Sequence, residues 1–178
     1  MASALVLLAE GFEEIEAVTI VDVLRRAGVT VTVAGLAPGP VRGAHDIVVA
    51  SDTTLDAVAG ESFDAVVLPG GGPGTQRLRE DSRVLELARR SASAGKLVAA
   101  ICAAPTVLDA AGVLRDKTAT SYPGCPLPSA RFVEERVVED GNVVTSRGPG
   151  TAIDFALALV ARLVSSEAAA EHRKRLLA

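Results

Sequence analysis

The 178-residue sequence predicts an α/β fold, a three-layer sandwich around a mostly parallel sheet. Two features carry that prediction. Short apolar or β-branched runs alternate with longer segments of helical period, which is the order of a sheet whose strands are joined by helices. One run, Leu97-Val98-Ala99-Ala100-Ile101, is apolar at every position, as a strand buried on both faces must be.

In chain order, residues 5–9 read as the first strand, and Gly11 turns the chain. Residues 13–27 form a helix closed by Gly28, with Glu13, Glu14 and Glu16 in the first turns, where acidic groups favour the positive helix end. Its apolar residues, Ile15, Val18, Ile20, Val21, Val23 and Leu24, cover more than one stripe. The surplus predicts a second buried face and hence a partner subunit. Residues 30–36 alternate and are β-branched, so they form strand two. Pro38-Gly39-Pro40 marks a turn, 41–42 and 47–49 pair as a small hairpin, and 53–58 read as a short helix or turn. Residues 64–68 are a strand ending in Pro69-Gly70-Gly71-Gly72-Pro73-Gly74. A helix covers 82–92 and ends near Gly95. After the strand 97–101, Pro105 opens a helix that stops at Gly112. Residues 118–120 start a short strand. Residues 136–139 and 142–146 are strands joined by an Asp-Gly turn. The loop 147–150 leads to a helix over 151–164, and 166–177 form a last amphipathic helix. Repeats and linkers are absent, so one domain over 1–178 is expected.

The formal net charge is −4, and no basic run appears before the tail, which argues against nucleic acid as the main partner. No segment has the length of a bilayer span, and the first residues read as a strand rather than a signal peptide. Two cysteines make neither a disulfide framework nor a metal site. A reduced, cytoplasmic setting is therefore expected. His45 and His172 have no metal-ligand spacing, so no metal is expected.

Cys102 falls where the strand 97–101 meets the helix begun by Pro105. A side chain on such a turn stands at the carboxyl edge of the sheet, where α/β folds place their sites. Nearby helix N–H groups favour a thiolate, and Ala103 and its neighbours leave room for a small substrate. A buried structural cysteine is the competing reading. The glycine-rich loop 68–74 lacks both the G-x-G-x-x-G and the Gly-Lys-Ser/Thr pattern, so it reads as a tight turn or an oxyanion hole rather than a phosphate site. If Glu16 meets Cys102, a protonated Glu16 donating to the thiolate is the arrangement expected, with the Glu16 pKa raised and that of Cys102 depressed. The competing reading of Glu16 is a solvated helix start. Asp22 and Arg147 read as charge-pairing or capping residues.

Four motifs together resemble the ThiJ/PfpI superfamily, and within it the DJ-one branch, which includes a parkinsonism-associated deglycase: Ala9-Glu10-Gly11-Phe12-Glu13-Glu14-Ile15-Glu16, Val67-Leu68-Pro69-Gly70-Gly71, Ala99-Ala100-Ile101-Cys102-Ala103-Ala104-Pro105 and Thr145-Ser146-Arg147-Gly148-Pro149-Gly150-Thr151. The resemblance spans nearly the whole chain. It implies a flavodoxin-like sandwich and a homodimer built partly on the first helix. It implies that Cys102 is the reactive cysteine, Glu16 its carboxylic partner, and Gly70 and Gly71 the backbone donors of the pocket. No cofactor is implied. Tyr122 stands where many members carry a His, and it is a poor base near neutral pH. Ala103 stands where the protease-like branch has a His, which argues against a peptidase. Cys125 lies in the neighbouring Pro-rich loop. The activity implied is a cysteine-dependent reaction on small reactive carbonyl or acyl compounds, of glyoxalase III or deglycase type. The alternative implied is a non-enzymatic redox sensor or chaperone that uses oxidation of Cys102 to the sulfinic acid.

Overall fold

Strands that are apolar throughout need cover on both faces. The computed structural model, which describes residues 1–178, supplies it. Strand β1 (Ser3–Leu8) leads into helix α1 (Glu14–Arg26) and strand β2 (Thr30–Gly35). A hairpin of β3 (Val41–Arg42) and β4 (Val48–Val49) follows, then β5 (Thr53–Thr54) and the single turn α2 (Leu55–Val58). Next come β6 (Ala65–Leu68), α3 (Gly72–Glu80), α4 (Ser82–Ser93), β7 (Leu97–Ile101) and α5 (Pro105–Ala110). A two-stranded patch pairs β8 (Thr118–Ala119) with β9 (Arg131–Phe132). The chain ends with β10 (Val137–Asp140), β11 (Val143–Ser146), a 3-10 turn over Pro149–Thr151, α6 (Ala152–Leu163) and α7 (Ser166–Leu176).

The main sheet has the order β10-β11-β7-β6-β1-β2-β5. All neighbours are parallel except β10 and β11. Side-chain alternation divides the core in two. Ala4, Val6 and Leu8 of β1 meet Ile20, Val23 and Leu24 of α1 and Phe155, Leu159 and Val160 of α6. Leu5 and Leu7 face the other way, onto Leu78, Val84, Leu87 and Leu108 of α3, α4 and α5. The result is a flavodoxin-like α/β sandwich.

β1 is followed by a helix on one face and β6 by helices on the other. The crevice between their carboxyl ends is the topological switch point at which open α/β sheets bind ligands. Gly11 and Gly71 meet there, and β7 brings Cys102 to the same edge, with Leu68 opposite Ala100 in the register.

The expected elements are present, with two additions. Helix α3 takes in the end of the glycine-rich loop, residues 72–74, and residues 75–80, for which the sequence predicts no element. Gly72, Pro73 and Gly74 are poor helix formers, yet Pro suits a first turn and the turn is backed by Phe12. Asp81 then breaks the helix and accepts from the Arg83 N–H at 2.9 Å, capping α4. The second addition is β9, too short to show a period. Residues 53–58, expected as helix or turn, are a two-residue strand followed by a one-turn helix, with Thr54 as cap.

Phe155 is fully buried between α6 and the sheet. Phe155→Ala should lower the unfolding free energy by about 3–5 kcal/mol, the usual cost of emptying an aromatic site. Urea denaturation checks this, and a loss below about 1 kcal/mol would contradict the packing described.

Candidate active site

Cys102 is the first residue after β7, and its φ is +66°, in the left-handed region that side-chain-bearing residues avoid. Such a conformation costs roughly 1–3 kcal/mol and persists only where neighbours hold it. Both flanks do so here. The Cys102 N–H donates to the Ser146 carbonyl at 3.0 Å, and its carbonyl accepts from the Tyr122 N–H at 2.8 Å. Pro105 then opens α5, so the chain turns sharply and lifts the thiol to the sheet edge. The residue is 9% exposed.

Glu16 reaches the same point from α1. Its side chain is fully buried, and Oε2 accepts from the Gly70 N–H at 2.7 Å. Oε1 has no hydrogen-bond partner. Gly70 is required by contact: a Cβ there would lie 2.6 Å from the Cys102 Cβ and 2.7 Å from Glu16 Oε2. Gly71 has φ +93°, and a Cβ on it would fall 2.3 Å from the Gly11 carbonyl oxygen. The loop 70–74 and the chain entering α1 are thus packed backbone against backbone. The Glu13 N–H donates to the Gly70 carbonyl at 2.9 Å, completing the clasp.

The sequence reading gave Gly70 and Gly71 the same task, and the structure divides it. The Gly70 N–H is occupied by Glu16. The Gly71 and Ala103 N–H groups are the donors that favour negative charge on the Cys102 sulfur. Ala103 therefore contributes its backbone as well as its small side chain.

Burial raises the Glu16 carboxyl to about 7, against the Gly70 N–H and the Cys102 thiol, which favour its anion; the charge of Glu13 adds to the rise. The thiol behaves differently from the sequence expectation of a depressed value. Burial first, and the charge of Glu16 second, push Cys102 up to about 12 in spite of the Gly71 and Ala103 donors. The expectation took Glu16 as neutral, whereas an ionised carboxylate repels the thiolate beside it. The two groups form a coupled pair that resists a second negative charge.

Tyr122 is half-exposed at the rim, its ring against Gly148, where a Cβ would come within 3.1 Å of Cδ2. The thiol of Cys125 is pushed up by burial. Both cysteines are free. Arg147 pairs with Glu134 at 2.7 Å, and Asp22 with Arg26 at 2.7 Å, the charge-pairing roles expected of them. His172 Nδ1 lies 2.9 Å from the Ala168 carbonyl oxygen on α7. His45 Nδ1 lies 2.9 Å from Glu14 Oε2, whose carboxyl also accepts the His45 N–H at 2.6 Å. Glu13, Glu14 and His45 offer ligand atoms within 4.8 Å of one another, a cluster that sequence spacing did not bring together. Its carboxyl from Glu14 is engaged in fastening the 43–47 turn to α1. Glu13 was also missed as a charge acting on Glu16, since its proximity depends on the folded turn.

No helix is long and apolar enough to cross a membrane. The DJ-1/PfpI family model matches residues 2–162. The chain is 49% identical to Drosophila melanogaster Protein dj-1beta, over 98% of this chain and 96% of that one. The crystal structure of Drosophila melanogaster DJ-1beta superposes with a TM-score of 0.96, covering 99% of this chain and 97% of that one. A Caenorhabditis elegans relative named glutathione-independent glyoxalase DJR-1.2 is 38% identical, over 93% of this chain and 90% of that one. With its fold and motifs matched over nearly their full length, this chain belongs to the DJ-1/PfpI family.

Proposed function

We propose that the chain acts as one domain and is a cysteine-dependent enzyme of stress protection that converts small reactive carbonyl compounds, foremost 2-oxoaldehydes, to hydroxy acids. One observation carries the reading. A thiol on a strained elbow shares its surroundings with a buried carboxyl raised to about 7, and the Gly71 and Ala103 N–H groups favour charge on the sulfur. The nematode relative's name supports the same chemistry. The proposed setting is the cytoplasm, where both thiols stay reduced.

In the proposed reaction, Cys102 Sγ attacks the aldehyde carbon of methylglyoxal, and the charge that leaves sulfur appears on oxygen. The Gly71 and Ala103 N–H groups lie where they can stabilise that oxyanion. Protonation gives a hemithioacetal. Glu16, as carboxylate, takes the proton from the hemithioacetal carbon and returns one to the adjacent carbon. The product is a lactoyl thioester, and water cleaves it to lactate and free thiol. The sum is methylglyoxal plus water to lactic acid, with no external oxidant. Deglycase or anhydride-hydrolase action would use the same thioester chemistry. No His lies on the path, which speaks against a peptidase.

A second reading rests on Glu16 Oε1, which is buried without a partner. When protonated, it has a donor to offer an oxygen added to sulfur. Peroxide oxidation of Cys102 to the sulfinic acid would set an oxygen beside that carboxyl to accept its proton, the stable oxidised state that a redox sensor or chaperone uses. We also propose a homodimer through α1 and the β3–β4 hairpin. Ile15, Val18, Ile47 and Val48 are exposed there on adjoining elements.

Glu16→Gln keeps the shape of the side chain but moves no proton. Methylglyoxal turnover should fall by about 10²–10⁴, the scale of a general acid–base group. In the wild type, alkylation of Cys102 should rise with pH while Glu16 is neutral and level off above about 7, where the ionised carboxylate repels the thiolate. That inflection should vanish in the variant. Turnover near that of the wild type in Glu16→Gln would reject the shuttle.

Mild peroxide should add two oxygens to Cys102 and stop there, as read by mass spectrometry. Direct passage to the sulfonate would reject the sensor reading. Light scattering at micromolar concentration should give twice the chain mass, and Val18→Glu should halve it; a wild-type monomer would reject the dimer.

A further inference from the structure

The chain has five aromatic residues, four Phe and one Tyr. Phe12, Phe63 and Phe155 are buried. The other two, Tyr122 and Phe132, are 48% and 47% exposed, and both line one groove. Aromatic surface left in water on a chain with so little of it marks a place where something apolar binds.

The groove encloses about 570 Å³, within the range of ligand sites. Its walls are Tyr122, Pro126, Pro128, Leu127 and Phe132, with the Cys125 thiol among them, and no acidic or basic side chain lines it. Arg131 beside it turns its guanidinium to Thr118 Oγ1 at 2.8 Å. The walls are built in advance. Leu127 is anchored in the core below α5. The Ser121 hydroxyl donates to the Cys125 carbonyl at 2.6 Å, the Arg131 N–H to Lys117 at 2.8 Å and the Val133 N–H to Ala119 at 3.0 Å. Three prolines, Pro123, Pro126 and Pro128, restrict the rest. Its first wall is fastened to the residue that carries the thiol, because the Tyr122 N–H donates to the Cys102 carbonyl at 2.8 Å.

We propose that this groove is a side-chain subsite for the carbonyl compound attacked by Cys102, and that it selects substrates carrying an aromatic or branched apolar group. The inference rests on Cys102 being the nucleophile. The carbonyl end would be held at the sulfur, and the apolar end would lie between Tyr122 and Phe132. The groove would thus discriminate by side chain rather than by the reacting carbonyl.

Alkylation isolates the groove from turnover. Rates of Cys102 modification by iodoacetamide and by N-benzyl-iodoacetamide, followed on the full chain by mass spectrometry, give a ratio that cancels the intrinsic reactivity of the thiol. The wild type should favour the benzyl reagent by about tenfold, the gain expected for partial burial of a ring. Phe132→Ala should bring the ratio close to one, and Phe132→Tyr, which keeps the ring, should retain the preference. No preference in the wild type, or equal ratios in Phe132→Ala and Phe132→Tyr, overturns the subsite; that covers a groove occupied instead by a second copy or a peptide. The two readings fail separately. A chain with the benzyl preference but no methylglyoxal turnover loses the enzymatic reading and keeps the groove. Turnover without the preference does the reverse.

Discussion

The hydrogen bond from the Gly70 N–H to Glu16 Oε2, fully buried at 2.7 Å, is the contact on which the site depends. A carboxyl cannot be removed from water without a donor or a proton, and this one uses both. The donor comes from the loop after β6 and the carboxyl from α1, so the bond closes the crevice between β1 and β6. It also demands glycine at 70, since any side chain there would strike Cys102 and Glu16 together. Glycine at 71 and at 74 follows from the same closeness, because the loop lies on the backbone of residues 11–13. The glycine-rich run is therefore a packing surface before it is a donor of N–H groups.

Helix α1 serves two surfaces by its period alone. Glu16, Ile20, Val23 and Leu24 follow the three- and four-residue spacing of one face and are buried. Ile15, Val18 and Asp22 fall on the opposite side and are exposed or half-exposed. The residue that modulates Cys102 is thus on the same rigid element as the apolar surface offered for association.

Much of this was readable in the chain. The strand 97–101 announced itself because burial on both faces leaves no polar position, and the elbow followed from Pro105 just inside the next helix. The hairpin at Asp140-Gly141 and the helix closed at Gly28 were equally plain, since their turn residues are local signals. What failed were features that depend on contacts distant in sequence. Helix α3 begins with residues that disfavour a helix and forms because Phe12 backs it. β9 has two residues and exists only through β8. That Gly70 and Gly71 do different work depends on which N–H Glu16 reaches, and that depends on the entry angle of α1. The sign of the Cys102 shift depends first on burial of the thiol and then on the charge of Glu16, 86 positions away, and spacing supplies neither.

The proton count of that pair is the step at which the two readings of the site part. With one proton between Glu16 and Cys102, placing it on the carboxyl removes the repulsion that pushes the thiol up and leaves the Gly71 and Ala103 N–H groups acting on a thiolate. Placing it on sulfur leaves a carboxylate able to abstract a proton from carbon. The proposed carbonyl addition uses the first arrangement; in the adduct the sulfur is bonded to carbon and carries no proton, and Glu16 becomes the carboxylate that isomerisation needs by giving its proton to the oxyanion. Raising Glu16 to about 7 narrows the gap between the two arrangements, and the Cys102 value of about 12 keeps the proton of the resting pair on sulfur. Oxidation asks less: only the first arrangement, held still while oxygen is added. With Tyr122 rather than a His beside the elbow, the proposed reaction assigns its proton transfers to Glu16.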